Sequence, residues 1–198
     1  MSSAHSSAEV VIRRQALCLR QHPTLPLYIF SLLAADVPRV TDVSRIGRDD
    51  EGDLVGYQRP AVRRHIKNIV DYLDGSDVLF PNSLILAFSS AVRFVEHEGI
   101  PADKGQSIGH LEIPIPLEDH PRPGWIVDGQ QRSRALATTR REDLIVPVTA
   151  FVTDDIGVQR DQFLRINSVK PLPNGLITEL LPTLDTPLPA KLEARKVP

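Results

Sequence analysis

The spacing of apolar residues divides the chain into alternating and helical stretches. EVVIRRQALCLR (9–20) alternates, with Val11, Arg13, Gln15, Leu17 and Leu19 on one side and Val10, Ile12, Arg14 and Ala16 on the other, which predicts a strand. LPLYIFSLLAAD (25–36) is an almost unbroken apolar run with Pro26 where a first helical turn tolerates proline; it predicts a buried helix ending before Pro38. RIGRDDEGDLVG (45–56) is charged and aperiodic, the signature of a surface loop. In YQRPAVRRHIKNIVDYLDG (57–75), Pro60 stands at a first helical position. Val62, Ile66, Ile69 or Val70, and Leu73 recur every three or four residues, and Gly75 closes the stretch, so an amphipathic helix is predicted. Its other flank carries Arg59, Arg63, Arg64 and Lys67.

FPNSLILAFS (80–89) reads as a turn leading into a buried strand, and VRFVEHEG (92–99) with SIGHLEIPIP (107–116) as an antiparallel pair. GWIVDG (124–129) predicts a short strand, QQRSRALATTRRED (130–143) a helix of about three turns, and LIVPVTAFV (144–152) another strand. DDIGVQRDQFLRIN (154–167) is predicted helical, with Ile156, Gln159 or Arg160, Phe163 and Ile166 on one face and Asp154 or Asp155 as cap. Beyond Asn167 six prolines fall in 31 residues, and only NGLITELL fits a short helix. Strands and helices are mixed, with hairpins among them, so the expected class is α+β around a small mixed or antiparallel sheet.

Composition narrows this picture. A chain of 198 residues, 41 % hydrophobic, can bury one core, so a single domain over residues 9–182 is expected. Residues 1–8 are expected to be disordered and 183–198 to form a proline-rich tail or the start of a further region. With 23 basic against 25 acidic side chains the chain is no globally basic nucleic-acid binder, although a local basic face remains open. The one cysteine, Cys18, has no partner for an internal disulfide and sits in an apolar run, where a structural role is expected. No run approaches the length of a membrane span and the first residues lack a signal-peptide pattern, so a soluble, cytoplasmic protein is expected. The six histidines, His5, His22, His65, His97, His110 and His120, show no paired metal spacing and are assigned to surface or core.

The stretch with chemistry is WIVDGQQRSRAL (125–136). A strand delivering Asp128-Gly129 directly into a helix leaves backbone N–H groups unpaired at the helix start, where the dipole favours anions and a glycine admits a ligand close to the backbone. Arg132 falls in the first turn with a planar fork suited to phosphate, while Arg134 points about 200° away around the helix. Gln130 and Gln131 add neutral donors and acceptors. The same residues also suit an ordinary exposed helix, with Asp128 as its N-cap.

VDGQQRSRALA resembles the signature of the DGQHR-domain family, with Gln131 where the family carries histidine. YQRPAVRRHIKNIVDYL is similar to the family's Arg-led helix, FPNSLILAF to its Pro-Asn approach to a strand, and QFLRINSVKPLPNGLITELLP to its Phe-x-x-x-Asn segment followed by Lys-Pro. The likeness spans residues 10 to 182. The family includes DndB of DNA sulfur modification and DpdB of the systems that place 7-deazaguanine in DNA, and the Lys170-Pro171-Leu172-Pro173 ending looks more like the DpdB branch.

The wider ParB and sulfiredoxin-like superfamily implies its fold and a role for each part. Gly129, Gln130, Gln131 and Arg132 correspond in position to a phosphate-holding box, Arg59 to an upstream phosphate-binding arginine, and Asn167 to a metal-binding asparagine. Sulfiredoxins carry a cysteine where this chain has Gln130, which argues against sulfinic acid reduction. The resemblance thus implies a protein that binds ATP or another nucleoside triphosphate with Mg2+. If it turns over, it would do so as a triphosphatase with Asp128 and Gln131 as catalytic residues. It lacks a Gly-x-x-x-x-Gly-Lys-Ser/Thr loop, so it is no P-loop ATPase. Its expected setting is restriction-modification and phage defence, serving a transglycosylase-like DNA-modifying partner, with a homo-oligomer as a further possibility. The alternative is a DndB-like DNA-binding regulator without turnover, using Arg63, Arg64 and Lys67 on DNA phosphates.

Overall fold

The computed structural model describes residues 10–42, 47–48, 54–55, 63–117 and 120–167. The chain enters as β1 (Val10–Leu19) and returns as β2 (Leu27–Leu33), which corrects the expected helix at 25–36. Tyr28, Phe30 and Leu32 are buried whereas Ile29 and Leu33 are exposed, so the run alternates once it is paired. A short apolar run carries no decisive period of its own. Here pairing with β1 on one side and with a late strand on the other settles it. Helical geometry persists only in a single 3-10 turn, Ala34–Asp36, and in α1 (Val37–Val40).

β3 (Thr41–Asp42) follows, then β4 (Gly47–Arg48) and β5 (Leu54–Val55), a two-residue ladder inside the stretch expected as loop. α2 (Arg63–Leu73) lies within the predicted helix, its Ile66, Ile69, Val70 and Leu73 packed into the core; Arg59, Pro60 and Val62 lie outside the described residues. β6 (Leu84–Phe88), β7 (Arg93–Glu96), β8 (Gln106–Ile115) and β9 (Gly124–Asp128) fall within the stretches expected as strands.

α3 (Gln130–Leu136) has seven residues, about two turns rather than the expected three. Thr138 donates its hydroxyl back to the carbonyl of Arg134. Asp74, just past α2, then accepts bonds from the Thr139 hydroxyl and the Arg140 amide, pulling the chain out of the helix. β10 (Ile145–Val152) and α4 (Ile156–Asn167) complete the described chain. The Asp155 carboxylate caps α4 by accepting from the Gly157 amide, as anticipated; of the predicted apolar face, Phe163 and Gln159 are buried but Ile156 is exposed. Residues as far as Leu164 form one compact unit, and a second unit begins at Arg165. The expected helix NGLITELL and the tail at 183–198 lie outside the described residues.

Eight strands form one mixed sheet in the order β3-β9-β6-β10-β2-β1-β8-β7, larger than the small sheet expected. The β3–β9 and β10–β6 pairs are parallel and the rest antiparallel, which confirms α+β. One face carries Ile12, Phe30, Leu32, Leu84, Leu86, Leu111, Ile113 and Val148, covered by Val37 and Val40 of α1, Leu73 of α2 and Leu136 of α3. Burying each large side chain contributes about 1.5–3 kcal/mol. Cys18 is buried in this core, as expected. Asp36 is a charge in the same layer, and it is held by Arg14 at 2.6 Å and Arg39 at 2.9 Å. A carboxylate taken from water persists there because both cations reach it.

Candidate functional site

β9 lies against β6 with Leu86 opposite Ile126 and Ile85 opposite Asp128, a one-residue slip between the two pairs. Such a bulge ends regular pairing and re-aims the side chain beside it. Gly129 follows at φ 93° and ψ 21°, the left-handed region that favours glycine, and α3 starts at the next residue. The space a side chain would need at Gly129 is taken: a β-carbon there would lie 2.5 Å from Leu84 Cδ2 and 3.2 Å from Arg132 Nη2.

The Arg132 guanidinium therefore folds back under the turn. Nη1 donates to the carbonyls of Asn82 and of Ser83, the latter at 2.9 Å, and Nη2 donates to Asp128 Oδ2 at 2.8 Å. One arginine thus clamps the approach to β6 to the end of β9, joining the Pro-Asn and Asp-Gly-Gln stretches, which lie some fifty residues apart. Burial draws the guanidinium's pKa below its ordinary value, against the opposing pull of the Asp128 charge. Among the described residues these three bonds leave Nε and one hydrogen on Nη2 for other acceptors.

Asp128 is the partner of Arg132 rather than the N-cap; the cap position is Gly129, which has no side chain to cap the start of α3. The amide of Ser133 donates to the Gly129 carbonyl at 2.7 Å, the first internal bond of the helix. Gln130 and Gln131 are half-buried beside this start. The structure thus brings Asp128, Gly129, Gln130, Gln131 and Arg132 together. The Pro-Asn approach is legible in sequence as a family likeness, but not that the Asn82 and Ser83 carbonyls face the arginine, because a backbone acceptor leaves no mark on residue type.

α2 packs against α3 and is latched to it by Asp74, whose carboxyl is held below its ordinary range first by the Thr139 hydroxyl and then by the Arg140 amide. Arg63, Arg64 and Lys67 are exposed on α2 and make no ion pair with any described residue. Arg59 lies outside the described residues. Asn167 is the last residue of α4, and its side chain is outside them too. No helix among the described residues is long and apolar enough to cross a membrane.

Fold and site together define an α+β domain whose central strand-to-helix turn is built around an Asp-Gly-Gln-x-Arg clamp. The DndB family model, described as DNA-sulfur modification-associated, matches residues 21–179, and the chain belongs to that family. Its membership ties the chain to DNA modification, with DNA and the other proteins of such a system as its partners. No curated protein matches the chain, and no solved structure does.

Proposed function

We propose that the chain is a nucleotide-binding accessory protein of a DNA modification system, with ATP phosphates seated at the start of α3. The observation that carries this reading is a helix start whose cap position is a glycine, set beside an arginine with two N–H donors that no described residue takes up. Gln130 and the amides of the first turn would meet phosphate oxygens, with Arg132 reaching them through Nε. Arg59 is the further phosphate ligand that the family pattern suggests.

Mg2+ fits here only as a partner of the nucleotide. Asp128 Oδ2 is engaged by Arg132, so one carboxylate oxygen remains, and the other ligands would come from phosphates and water. If turnover occurs, Asp128 and Gln131 would orient the water that attacks the terminal phosphorus, expelling the diphosphate.

Titration calorimetry with ATP and Mg2+ tests this site, using Gln130→Glu as the variant. A carboxylate at that position repels phosphate while suiting the helix dipole. Saturable binding weakened at least tenfold in the variant is expected; no heat with the wild-type chain would refute the reading.

The 7-deazaguanine branch, with a transglycosylase-like partner, is favoured over phosphorothioation by the likeness of the Lys170-Pro171-Leu172-Pro173-x-Gly175-Leu176-Ile177 ending to DpdB. Nucleoside mass spectrometry of host DNA after deletion of the gene separates the branches: loss of a 7-deazapurine supports the proposal, and a change confined to phosphorothioate linkages overturns it.

A second reading, a DndB-like DNA-binding regulator without turnover, rests on Arg63, Arg64 and Lys67, exposed on α2 and unpaired with any described residue. Duplex binding that weakens steeply with salt and is reduced by alanine at these three positions supports it. Absence of duplex binding at low salt removes it.

A further inference from the structure

We infer that His97 and His110 form a site for a divalent transition-metal ion of the imidazole-binding class, such as Zn2+, on the open face of β7 and β8. The two residues are thirteen apart in the chain, and the hairpin brings them together. His110 pairs across the ladder with Val95, and the His97 amide continues the ladder by donating to the Ile108 carbonyl at 2.9 Å, so the histidines are diagonal neighbours on one face. His97 Nε2 and His110 Nδ1 face each other at 2.9 Å.

A zinc ion bound to two imidazole nitrogens at about 2.0–2.1 Å each, with a tetrahedral angle between them, holds those nitrogens roughly 3.3 Å apart. To exchange their shared proton for a metal ion the nitrogens need to separate by about 0.4 Å and each ring to tilt by roughly 35°, so that the two lone pairs meet at an ion beside the N–N line.

What lies behind His110 is the feature that distinguishes this pair from two histidines in chance contact. Its other ring nitrogen, Nε2, stands 3.7 Å from Glu112 Oε1. At that separation the carboxylate makes no hydrogen bond to the ring; its charge favours a proton on Nε2 through space alone, with Nδ1 then the lone-pair nitrogen aimed at His97. Glu112 is itself fixed, accepting from Arg13 Nε at 3.0 Å and Arg93 Nη2 at 3.1 Å. Its charge is held by two arginines, so its part is to bias the His110 tautomer rather than to bind the ion. Two nitrogens are thus supplied by the protein, water completes the shell, and an ion there would pin β7, the edge strand, to β8. Imidazole ligands of this kind suit Zn2+, Ni2+ or Cu2+ and not Mg2+, so the site is chemically separate from the nucleotide-linked Mg2+ proposed at α3.

Calorimetry on the full chain with ZnCl2 and with MgCl2 as probes tests the inference, alongside thermal melts with and without Zn2+. Expected are one equivalent of Zn2+ bound, no saturable Mg2+ binding at this pair, and a melting temperature raised by Zn2+. Both effects should vanish in His97→Gln and in His110→Gln and persist in His22→Gln. Circular dichroism of each variant confirms that the fold is kept. A flat Zn2+ titration of the wild-type chain, or Zn2+ binding unchanged in a folded His97→Gln variant, would overturn it.

Discussion

Gly129→Ala isolates the turn on which the candidate site is built. At φ 93° an L-residue pays a backbone penalty of about 1–2 kcal/mol. Its new β-carbon would lie 2.5 Å from Leu84 Cδ2, and Leu84 is fully buried, so something must shift; overpacking of this kind costs roughly 1–3 kcal/mol. The same atom would lie 3.2 Å from Arg132 Nη2, the nitrogen bonded to Asp128, so the clamp loosens with the core. The sum is a loss of about 2–5 kcal/mol, which for a chain of this size corresponds to a fall in Tm of roughly 4–20 °C. Urea unfolding followed by circular dichroism measures it. Two controls separate the causes: Gly129→Asn tolerates the backbone angle better but carries the same β-carbon, and Leu84→Val in the Gly129→Ala background relieves the overlap. A coupling of at least about 1 kcal/mol between Gly129→Ala and Leu84→Val is expected. A loss below about 0.5 kcal/mol for Gly129→Ala would refute the reasoning outright.

Arg132→Lys keeps the charge but lacks the planar fork that reaches two carbonyls and a carboxylate in different directions; a loss of about 1–3 kcal/mol in unfolding free energy from urea titration is expected, and a neutral result would mean that the Asn82 and Ser83 carbonyls are satisfied without the fork. Hydrogen bonds hold the carboxyls of Asp74 and Asp154 below their ordinary range, chiefly from Thr139 and Ser90 respectively. A depressed native pKa contributes stability that is present above the unfolded value near 4 and is lost as pH falls through the native value. The urea midpoint should therefore drop below about pH 4, and Asp74→Asn should flatten that drop; equal slopes in the two proteins would count against the latch. If α2 binds DNA, replacing Arg63, Arg64 and Lys67 by alanine should lower the slope of log affinity against log salt by up to about 2.7, roughly 0.9 for each phosphate no longer neutralised.

β1, β8 and the helix α2 could be read from local spacing because each turns an apolar side inward and hydrophobic periodicity records that, while β6 and β9 could be read as short apolar runs bounded by turn residues. The Asp128-Gly129-Gln130 junction was legible for a related reason: a left-handed residue between strand and helix calls for glycine, and the sequence shows one. What residue types could not convey was the direction of side chains. Arg132 reads as a free phosphate fork from its position in the first turn, and only the fold shows most of that fork turned inward onto carbonyls from a segment fifty residues earlier. The 25–36 run reads as a helix because a short apolar stretch fits either period, and its partners, β1 and β10, lie on both sides of it in the chain.

The sequence by itself determined which segments must hide an apolar side, where the chain turns, and which residues could meet phosphate, since these follow from local pattern and side-chain chemistry. Tertiary structure alone decided the pairing of distant strands, the two-turn length of α3 set by Asp74, the clamp beneath Gly129 and the meeting of His97 with His110. Each of these depends on residues far apart in the chain coming together, and such meetings leave no period in the sequence between them.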